Sequence, residues 1–548
     1  MTIVLPFVLA LAVTMSLLPL LVRYAGHLRL LDLPSQRKQH AQPIPRVGGI
    51  AMAVGVLAAV SSSGFALDNS DGTFLIGAVV IFVSGLLDDR FDLDYRAKFA
   101  GQVIACAIPL VAGGLWVHSL EIPDYVALPR ILAIALTMFY FIGVTNAVNL
   151  SDGLDGLAGG TTFLCLCALG WLAYMSGATV AFGLCLAFAG AVLGFLRFNT
   201  HPAIVFMGDA GSQLLGYAIG GLGLLATQHA TTIFCATLPI LLLGVPILDT
   251  LQVMTRRVAT GHSPFRADRG HLHHRLLALG FEHHEAVMAI YTLQAAMLIV
   301  AYLVRFENDL VVVGTFIGFA TVCLVSLSIA ERTGWRVRVI TLDRARSGPV
   351  TRVFIAAYDS GALLRTSVWV VALGISAYAC LILLQAGVVG GSFSSLTWAE
   401  AGAMAAVLVV KRNGPLGVVD RALLYSIVAA FVLADVSVPP ELRDIPHLDW
   451  GIVLLVALAT VVALRSSAGR RFEVTPLDVL VLFITLVVPN LPGLDVLPGV
   501  MSLAIAKLVV LFYALEVVVT IPQSRPAWVR FAGASAAALL AWQFSGGR

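Results

Sequence analysis

Two aspartates spaced three residues apart, Asp152 and Asp155, lie in the segment NAVNLSDGLDGLAGG at residues 146–160. At this spacing both carboxylates would share one helix edge. Each is followed by glycine, which lets backbone N–H groups and carboxylate oxygens crowd around one polyanion or metal ion. The segment closes the apolar run 131–144, so we expect it at a membrane surface. A solvated loop with a helix cap is the alternative interpretation of this motif on its own.

Four further segments combine acids, histidines and basic residues. They are DLPSQRKQHAQPIPRVGG at 32–49, DDRFDLDYRAK at 88–98, NTHPAIVFMGDAGS at 199–212 and HSPFRADRGHLHHR at 262–275. In the first of them, Arg37, Lys38 and His40 could contact phosphate groups. Acids at membrane depth are costly, and Mg²⁺ prefers one or two carboxylates together with phosphate oxygens. Acid-bearing helix ends that meet on one face therefore suggest a site for Mg²⁺ and a diphosphate.

The composition requires a membrane to position these segments. Hydrophobic residues make up 59% and charged residues only 12% of the 548 residues, and the mean hydropathy is +0.93. An average soluble domain has roughly 25% charged residues, so the chain is a polytopic membrane protein and not a soluble enzyme. The seven cysteines lie inside apolar runs without a CxxC pair, which supports neither a disulfide framework nor a cysteine metal site.

Apolar runs close to the bilayer-spanning length of about 20 residues predict an all-α polytopic membrane protein. We predict a catalytic block of about 11 transmembrane helices followed by about seven further ones. The spans of the first block are predicted near 3–22, 48–66, 73–87, 99–118, 130–148, 157–176, 179–196, 210–227, 231–254, 286–304 and 309–330. Arginine and lysine collect in alternate loops, which predicts an N-terminus outside and all five polar segments on the cytoplasmic face. The first span reads as a retained helix rather than a signal peptide.

The motifs occur in the order RKxH, DDxxD, NxxNxxDGxDGLAGG, FMGDxGS and ADRGHLHHRLL. Over residues 1–330 this order resembles the polyprenyl-phosphate N-acetylhexosamine-1-phosphate transferases, the family of WecA and TagO and, more distantly, MraY. The HLHHRL form is similar to the WecA and TagO branch. The resemblance implies transfer of an N-acetylhexosamine 1-phosphate, first of all GlcNAc 1-phosphate, from a UDP-sugar to undecaprenyl or another polyprenyl phosphate. UMP would be released at the cytoplasmic face of a bacterial inner membrane.

The resemblance also implies a set of site residues, with Mg²⁺, or Mn²⁺ in its place, as the cofactor. The implied metal ligands are Asp152 and Asp209, and the implied catalytic residues are Asp88, Asp89, Asp152, Asp155 and His271. The implied substrate-binding residues are Arg37, Lys38, His40, Asn149, Phe206, His273, His274 and Arg275. Within that set, Asp155 and Phe206 would lie near the uracil ring, Asp88 and Asp89 would face the lipid phosphate, and residues 271–275 would approach the sugar phosphate.

This chemistry asks the protein mainly for positioning and charge neutralisation. A lipid phosphate is largely ionised at pH 7, because its second pKa is about 6. A general base at Asp88 is therefore compatible with the reaction but not required by it.

Several residues have plainer interpretations that the sequence leaves open. The HxHH spacing of His271, His273 and His274 is conceivable for zinc, but no cysteine accompanies it and neighbouring arginines would repel a cation. Anion binding is the favoured interpretation, and a basic surface loop is the third. Asp92 and Asp94 are compatible with charges on a solvated turn. His283 and His284 are expected at the surface, and the sequence assigns no role to His201.

Two other functions compete with the transferase. DDRFD also matches the diphosphate motif of an intramembrane prenyltransferase, but that function leaves FMGDAGS and HLHHR unexplained. A membrane transporter is the non-enzyme alternative, although the acids cluster at one interface rather than near the membrane midplane. The expected partners of the transferase are the UDP-N-acetylhexosamine, the polyprenyl phosphate, membrane lipids and a second copy in a homodimer, with no nucleic acid.

The chain continues beyond the resemblance. We predict a transferase membrane domain at 1–330, a basic cytoplasmic linker at 331–363 and a C-terminal membrane domain at 364–548. The last part contains no motif, and its acids are scattered singly along the sequence. We therefore expect the C-terminal domain to be dispensable for the transfer chemistry.

Overall fold

The computed structural model describes residues 5–33, 42–122, 124–228, 234–259, 261, 270–337, 357, 360–389, 424–425, 427–429, 431–432, 435, 448–467 and 499–520. The chain divides into two compact units, residues 2–339 and residues 340–548.

The described part of the first unit is almost entirely helical. Its helices are α1 (Leu5–Leu28), α2 (Gly48–Ser63), α3 (Asn69–Phe91), α4 (Tyr95–Ala107), α5 (Arg130–Ser151), α6 (Leu157–Met175), α7 (Thr179–Asn199), α8 (Gly208–Thr227), α9 (Leu238–Leu242), α10 (Gly244–Ala259), α11 (Leu272–Ala278), α12 (His283–Leu303) and α13 (Asp309–Arg332). Two short antiparallel pairs complete it: β1 (Leu31–Asp32) with β2 (Ile44–Pro45), and β3 (Ser119–Ile122) with β4 (Asp124–Ala127).

Eight helices in the described residues are long and apolar enough to cross a membrane. They are α1, α3, α5, α6, α7, α12 and α13 of the first unit and residues 362–382 of the second. The all-α, multi-pass character predicted from the sequence is confirmed. The predicted count of about 18 spans stays a prediction.

Two of the predicted spans are interrupted. Helix α4 ends at Ala107 and continues only as a π-helical turn, Ile108–Ala112, that contains Pro109. The described part of the span predicted at 231–254 is divided into the short α9 and the separate α10. Proline lacks the N–H group that a continuous helix requires, and Pro239 lies in the first turn of α9.

Helix α8 is the central element of the first unit. Nearly every residue from Ala210 to Thr227 is buried, and the helix packs against α2, α3, α5, α6 and α7. Small residues permit this close approach: a side chain at Gly216 would overlap the backbone of Thr145, and one at Gly221 would overlap Phe74. The N-terminus of α8 carries the FMGDAGS motif, so the packing of α8 fixes where Asp209 lies.

The described part of the second unit includes α14 (Ala362–Val389), α15 (Leu448–Ser467) and α16 (Gly499–Thr520). Lys507 on α16 is fully buried and forms ion pairs with Asp435 and with Asp449 on α15. The hydroxyl of Tyr378 on α14 donates to Asp435 at 2.9 Å. The expectation that the acids of this region stand singly is therefore wrong for Asp435 and Asp449. Residues far apart in sequence form one buried charge cluster.

Candidate active site

Lys98 joins two of the predicted site carboxylates. Its Nζ lies 2.7 Å from Oδ2 of Asp88 and 2.7 Å from Oδ1 of Asp209. Asp88 also accepts the N–H of Leu93 at 3.0 Å, so the chain leaving the C-terminal end of α3 is folded around this carboxylate. The ammonium group holds the end of α3 and the start of α8 together at the predicted diphosphate site.

Asp89 caps helix α8. Its two carboxylate oxygens accept the backbone N–H groups of Asp209 and Ala210, both at 2.9 Å. A carboxylate at a helix N-terminus is stabilised by the free N–H groups and by the helix dipole. Gly208 has φ +70°, and a side chain there would overlap the Asp89 carboxylate. The catalytic role of Asp89 stays a prediction, and its contacts are those of a residue that positions Asp209.

Asp152 follows the last residue of α5, and its side chain has no hydrogen-bond partner among the described residues. The residue opens onto solvent. The dense protein around it disfavours the ionised form, and the neighbouring Asp209, Asp155 and Asp89 add repulsion, so the pKa of Asp152 rises to about 7. An accessible carboxylate surrounded by others, without a cation of its own, is a suitable ligand for a divalent cation.

Asp155 has a different environment from Asp152. Its Oδ2 lies 2.7 Å from Nδ1 of His201 and accepts the N–H of Ala203 at 3.0 Å. Burial alone would raise the pKa of Asp155, but the hydrogen bonds from His201 and Ala203 hold it below its usual value. Asp155 is therefore ionised at neutral pH. Its predicted position near a uracil ring stays a prediction.

The histidine segment is fixed by Asp249, the single acid of helix α10. Oδ2 of Asp249 lies 2.9 Å from Nδ1 of His271, and Oδ1 accepts the N–H of Leu272 at 2.6 Å. His271 and Asp249 are both buried. The carboxylate selects the imidazole tautomer with a proton on Nδ1, which leaves Nε2 available to a substrate.

His273 packs against the aspartate motif. A side chain at Gly153 would overlap the His273 ring, so the glycine between the two aspartates lets the histidine segment approach. Burial, and after it the neighbouring His274, lowers the pKa of His273 to about 4. His273 is therefore neutral at pH 7. If it binds substrate as predicted, it acts as a hydrogen-bonding group rather than as a cation.

The remaining predicted substrate-binding residues lie in varied surroundings. Both Nε and Nη2 of Arg275 bind the carboxylate of Glu331, at 2.7 and 2.8 Å, so this guanidinium ties α11 to α13. Asn149 accepts the hydroxyl of Ser212 at 2.7 Å, and the His274 ring lies against His273. The carbonyl of Phe206 accepts the N–H of Gly48 at 3.0 Å. Arg37, Lys38 and His40 lie outside the described residues.

Four residues of this arrangement were not among the predicted site residues: Lys98, Asp249, Arg46 and His201. Arg46 forms an ion pair with Asp32 and lies 4.0 Å from Asp89. Lys98 and Arg46 stand inside predicted motif segments, so a requirement for charge balance among the acids would have indicated them. Asp249 stands alone in an apolar run, and only the fold shows what it contacts.

The residues present fit a Mg²⁺ ion. The candidate ligands Asp152 and Asp209 offer only oxygen, as Mg²⁺ prefers, and Asp152 needs a cation to neutralise it. The Asp209 side chain is 28% exposed, so it is accessible to a metal and a diphosphate. The metal assignment stays a prediction that this geometry supports.

Comparison with known proteins places these motifs in a family. The profile of glycosyl transferase family 4 matches residues 72–227. A Bacillus subtilis (strain 168) protein named probable undecaprenyl-phosphate N-acetylglucosaminyl 1-phosphate transferase is 36% identical over 334 residues, which cover 61% of this chain and 92% of the relative. The decaprenyl-phosphate N-acetylglucosaminephosphotransferase of Mycolicibacterium smegmatis (strain ATCC 700084 / mc(2)155) is 36% identical over 289 residues, or 47% of this chain and 71% of the relative.

An undecaprenyl-phosphate alpha-N-acetylglucosaminyl 1-phosphate transferase of Escherichia coli O157:H7 is 31% identical over 282 residues, or 50% of this chain and 76% of the relative. The chain belongs to glycosyl transferase family 4, the family of polyprenyl-phosphate N-acetylhexosamine-1-phosphate transferases. The resemblance inferred from the motifs is thereby confirmed.

Proposed function

We propose that this protein transfers N-acetylglucosamine 1-phosphate from UDP-N-acetylglucosamine to a polyprenyl phosphate and releases UMP. The observation that carries the proposal is the meeting of Asp88 and Asp209 at Lys98, with Asp152 near enough to Asp209 for the two carboxylates to repel each other. The names of the family relatives, which specify undecaprenyl or decaprenyl phosphate as acceptor, support the same reaction. The product is a diphosphate-linked lipid that starts a cell-envelope glycan.

In this reaction an oxygen of the lipid phosphate attacks the β-phosphorus of the UDP-sugar. The bond from that phosphorus to the bridging oxygen breaks, and the electron pair leaves with UMP. Bound at Asp152 and Asp209, Mg²⁺ or Mn²⁺ supplies charge neutralisation to the donor diphosphate. The chain's own residues must then position two anions in line and limit their repulsion.

Lys98 is the residue placed to limit that repulsion. Its ammonium group already lies within 2.7 Å of both Asp88 and Asp209, and its side chain is 25% exposed. It can therefore contact a phosphate oxygen that enters between the two acids. Asp88 orients Lys98 in this arrangement, and no general base is needed for an acceptor phosphate that is already ionised.

His271 supplies an oriented imidazole. Because Asp249 fixes the proton on Nδ1, Nε2 can accept a hydrogen bond from a sugar hydroxyl or amide, or donate to a phosphate when the ring is protonated. The His273 ring over Gly153 brings this segment onto the aspartate motif. The histidine segment thus forms the side of the site where the sugar phosphate would lie.

The rival prenyltransferase function finds less support in the geometry. Asp89 of the DDxxD motif is used as the cap of α8, and Asp92 is an exposed residue at the end of α3. These two acids do not form the open carboxylate pair that would hold a Mg²⁺-bound isoprenyl diphosphate.

The proposal also covers the protein's subcellular location and membrane topology. The multi-pass helices and the bacterial relatives support a bacterial membrane protein. The distribution of arginine and lysine supports an outside N-terminus and a site on the cytoplasmic face of the inner membrane, where UDP-sugars occur. In this proposal membrane lipids surround the helices. The protein is also proposed to assemble as a homodimer.

Donor competition tests the function. Purified full-length protein would be given Mg²⁺, undecaprenyl phosphate and one of several UDP-sugars, and UMP release would be measured. We expect release with UDP-N-acetylglucosamine and none without the lipid phosphate. Turnover of an isoprenyl diphosphate without turnover of any UDP-sugar would refute the proposal, and so would solute flux into proteoliposomes without UMP release.

A further inference from the structure

Asp155, His201 and His283 form a cluster beside the aspartate motif. One potential ligand atom from each of the three lies within 4.8 Å of the other two. They come from separate elements: the turn before α6, the loop before α8 and the first residue of α12. We propose that these three side chains bind a transition-metal ion of the zinc class, at a site separate from the proposed Mg²⁺ ligands. The proposal does not depend on the transferase function.

The arrangement of the three side chains is close to a coordination sphere. Zinc binds imidazole nitrogen and carboxylate oxygen at about 2.0–2.2 Å in a tetrahedron, which separates neighbouring ligand atoms by about 3.4 Å. In the cluster, Asp155 Oδ2 and His201 Nδ1 are 2.7 Å apart, and the two imidazole rings are stacked with centroids 4.2 Å apart. Binding of one ion would require the two stacked rings to separate and rotate until their ligand atoms face it.

A second observation points to a ligand at this position. Nε2 of His283 is buried and has no hydrogen-bond partner among the described residues. A buried polar atom without a partner costs free energy, and metal coordination would satisfy it. His201 and Asp155 keep side-chain exposures of 39% and 19%, so an ion can reach the cluster and a water molecule can complete the tetrahedron.

The chemistry of the ligands sets the selectivity. Two imidazoles with one carboxylate suit Zn²⁺, Co²⁺ and Ni²⁺, whereas Mg²⁺ prefers a set of oxygen ligands. Asp152 and Asp209 offer such an oxygen set, and the Asp155 cluster does not. One protein surface would therefore contain two sites that discriminate between the two classes of cation. An ion at the cluster would join the start of α12 to the turn that carries Asp152.

Cobalt titration tests the proposal. Full-length protein, prepared without a polyhistidine tag and treated with a chelator, would be titrated with Co²⁺ while its visible absorption is recorded. We expect one equivalent per chain, with the strong absorption of four-coordinate Co²⁺. Zn²⁺ should displace the Co²⁺, and excess Mg²⁺ should not. Because a ligand for the folded protein raises its unfolding temperature, Zn²⁺ should also raise that temperature.

Three variants identify the ligands. His283→Ala and His201→Ala should each weaken Co²⁺ binding by about tenfold or more and lose the stabilisation by Zn²⁺. His284→Ala, which removes the adjacent histidine, should bind as the original protein does. Size-exclusion chromatography checks that each variant is folded, and either ligand variant alone suffices for the test. Absence of four-coordinate Co²⁺ in the original protein would overturn the proposal. So would folded His283→Ala and His201→Ala proteins that bind Co²⁺ as tightly as the original protein does.

Discussion

Among the site acids, Asp152 and Asp209 are the two proposed to bind Mg²⁺ and the donor diphosphate. Asp89 is engaged by backbone N–H groups and Asp155 by His201 and Ala203. The Asp152 side chain has no hydrogen-bond partner among the described residues, and the Asp209 side chain is partly exposed beside Lys98. These contacts therefore distinguish the candidate Mg²⁺ ligands from the acids that hold the site together.

Replacing either candidate ligand should remove most of the activity. We expect Asp152→Asn and Asp209→Asn to reduce UMP release by about 100-fold or more, since each removes a carboxylate proposed to hold the Mg²⁺ that would neutralise charge on the donor diphosphate. The matched control is Asp94→Asn, the same change at an exposed residue near the site, which should stay close to the original rate. A fully active Asp209→Asn protein with unchanged Mg²⁺ dependence would remove Asp209 from the metal site.

The raised pKa of Asp152 predicts a pH dependence of metal binding. Below its pKa of about 7 the carboxyl is neutral, and a metal must displace the proton in order to bind. Metal affinity should therefore rise by up to about tenfold per pH unit towards pH 7 and level off above it. Mn²⁺ binding, followed by electron paramagnetic resonance without substrate, avoids the titration of the substrate phosphates. In Asp152→Asn the remaining Mn²⁺ binding should lack this rise of affinity with pH. The same rise in that variant would assign the titration to another group.

Helix α8 connects the buried core of the first unit to the candidate active site. Its buried length fixes its position, and its first turn presents Asp209 to Lys98 and two N–H groups to Asp89. The helix can adopt this position because Gly216 and Gly221 permit close packing and Gly208 leaves room for the cap. Displacement of its N-terminus would move Asp209 directly.

The cap gives Asp89 a measurable structural role. Asp89→Ala removes the acceptor of two N–H groups and should cost about 1–2 kcal/mol of stability, seen as a lower unfolding temperature together with lower turnover. Asp89→Asn retains one acceptor oxygen and should be intermediate in both measurements. If Asp89 instead faces the lipid phosphate without supporting α8, its substitution should change the KM for that substrate and leave the unfolding temperature unchanged.

The sequence predicted the elements better than their contacts. The DGxDG and FMGD motifs and the histidine segment could be assigned to one face because apolar spans alternate with short polar loops, and the structure brings Asp88, Asp152 and Asp209 together. Lys507 with Asp435, and His271 with Asp249, could not be paired in this way. The members of each pair lie on different elements, and no local pattern records which side chains face each other.

At the scale of the whole molecule, the described site residues belong to one unit. Every acid and histidine of the candidate site precedes residue 339, where the first compact unit ends. The second unit contains its own buried charge cluster around Lys507. Ionisable groups buried in a membrane protein are commonly functional, so this unit has an internal charged feature of its own.

This division predicts that the first unit suffices for catalysis. A shortened protein ending at Ser347 should insert into membranes and release UMP within about tenfold of the full-length rate, since its packing and site residues are retained. Both proteins should be compared at equal amounts of folded enzyme, verified by size-exclusion chromatography. Folded, membrane-inserted protein without detectable transfer would place part of the active site in the C-terminal half.

The central claim is that a sugar 1-phosphate, and not the sugar alone, moves to the lipid. UDP-N-acetylglucosamine carrying a radioactive β-phosphorus tests this most directly, with undecaprenyl phosphate, Mg²⁺ and full-length protein, followed by extraction of the lipid. We expect the label to enter the lipid fraction in an amount equal to the UMP released. Asp209→Asn should prevent both the labelling of the lipid and the release of UMP. If the label stayed in UDP while the sugar alone reached the lipid, transfer of a sugar 1-phosphate would be contradicted.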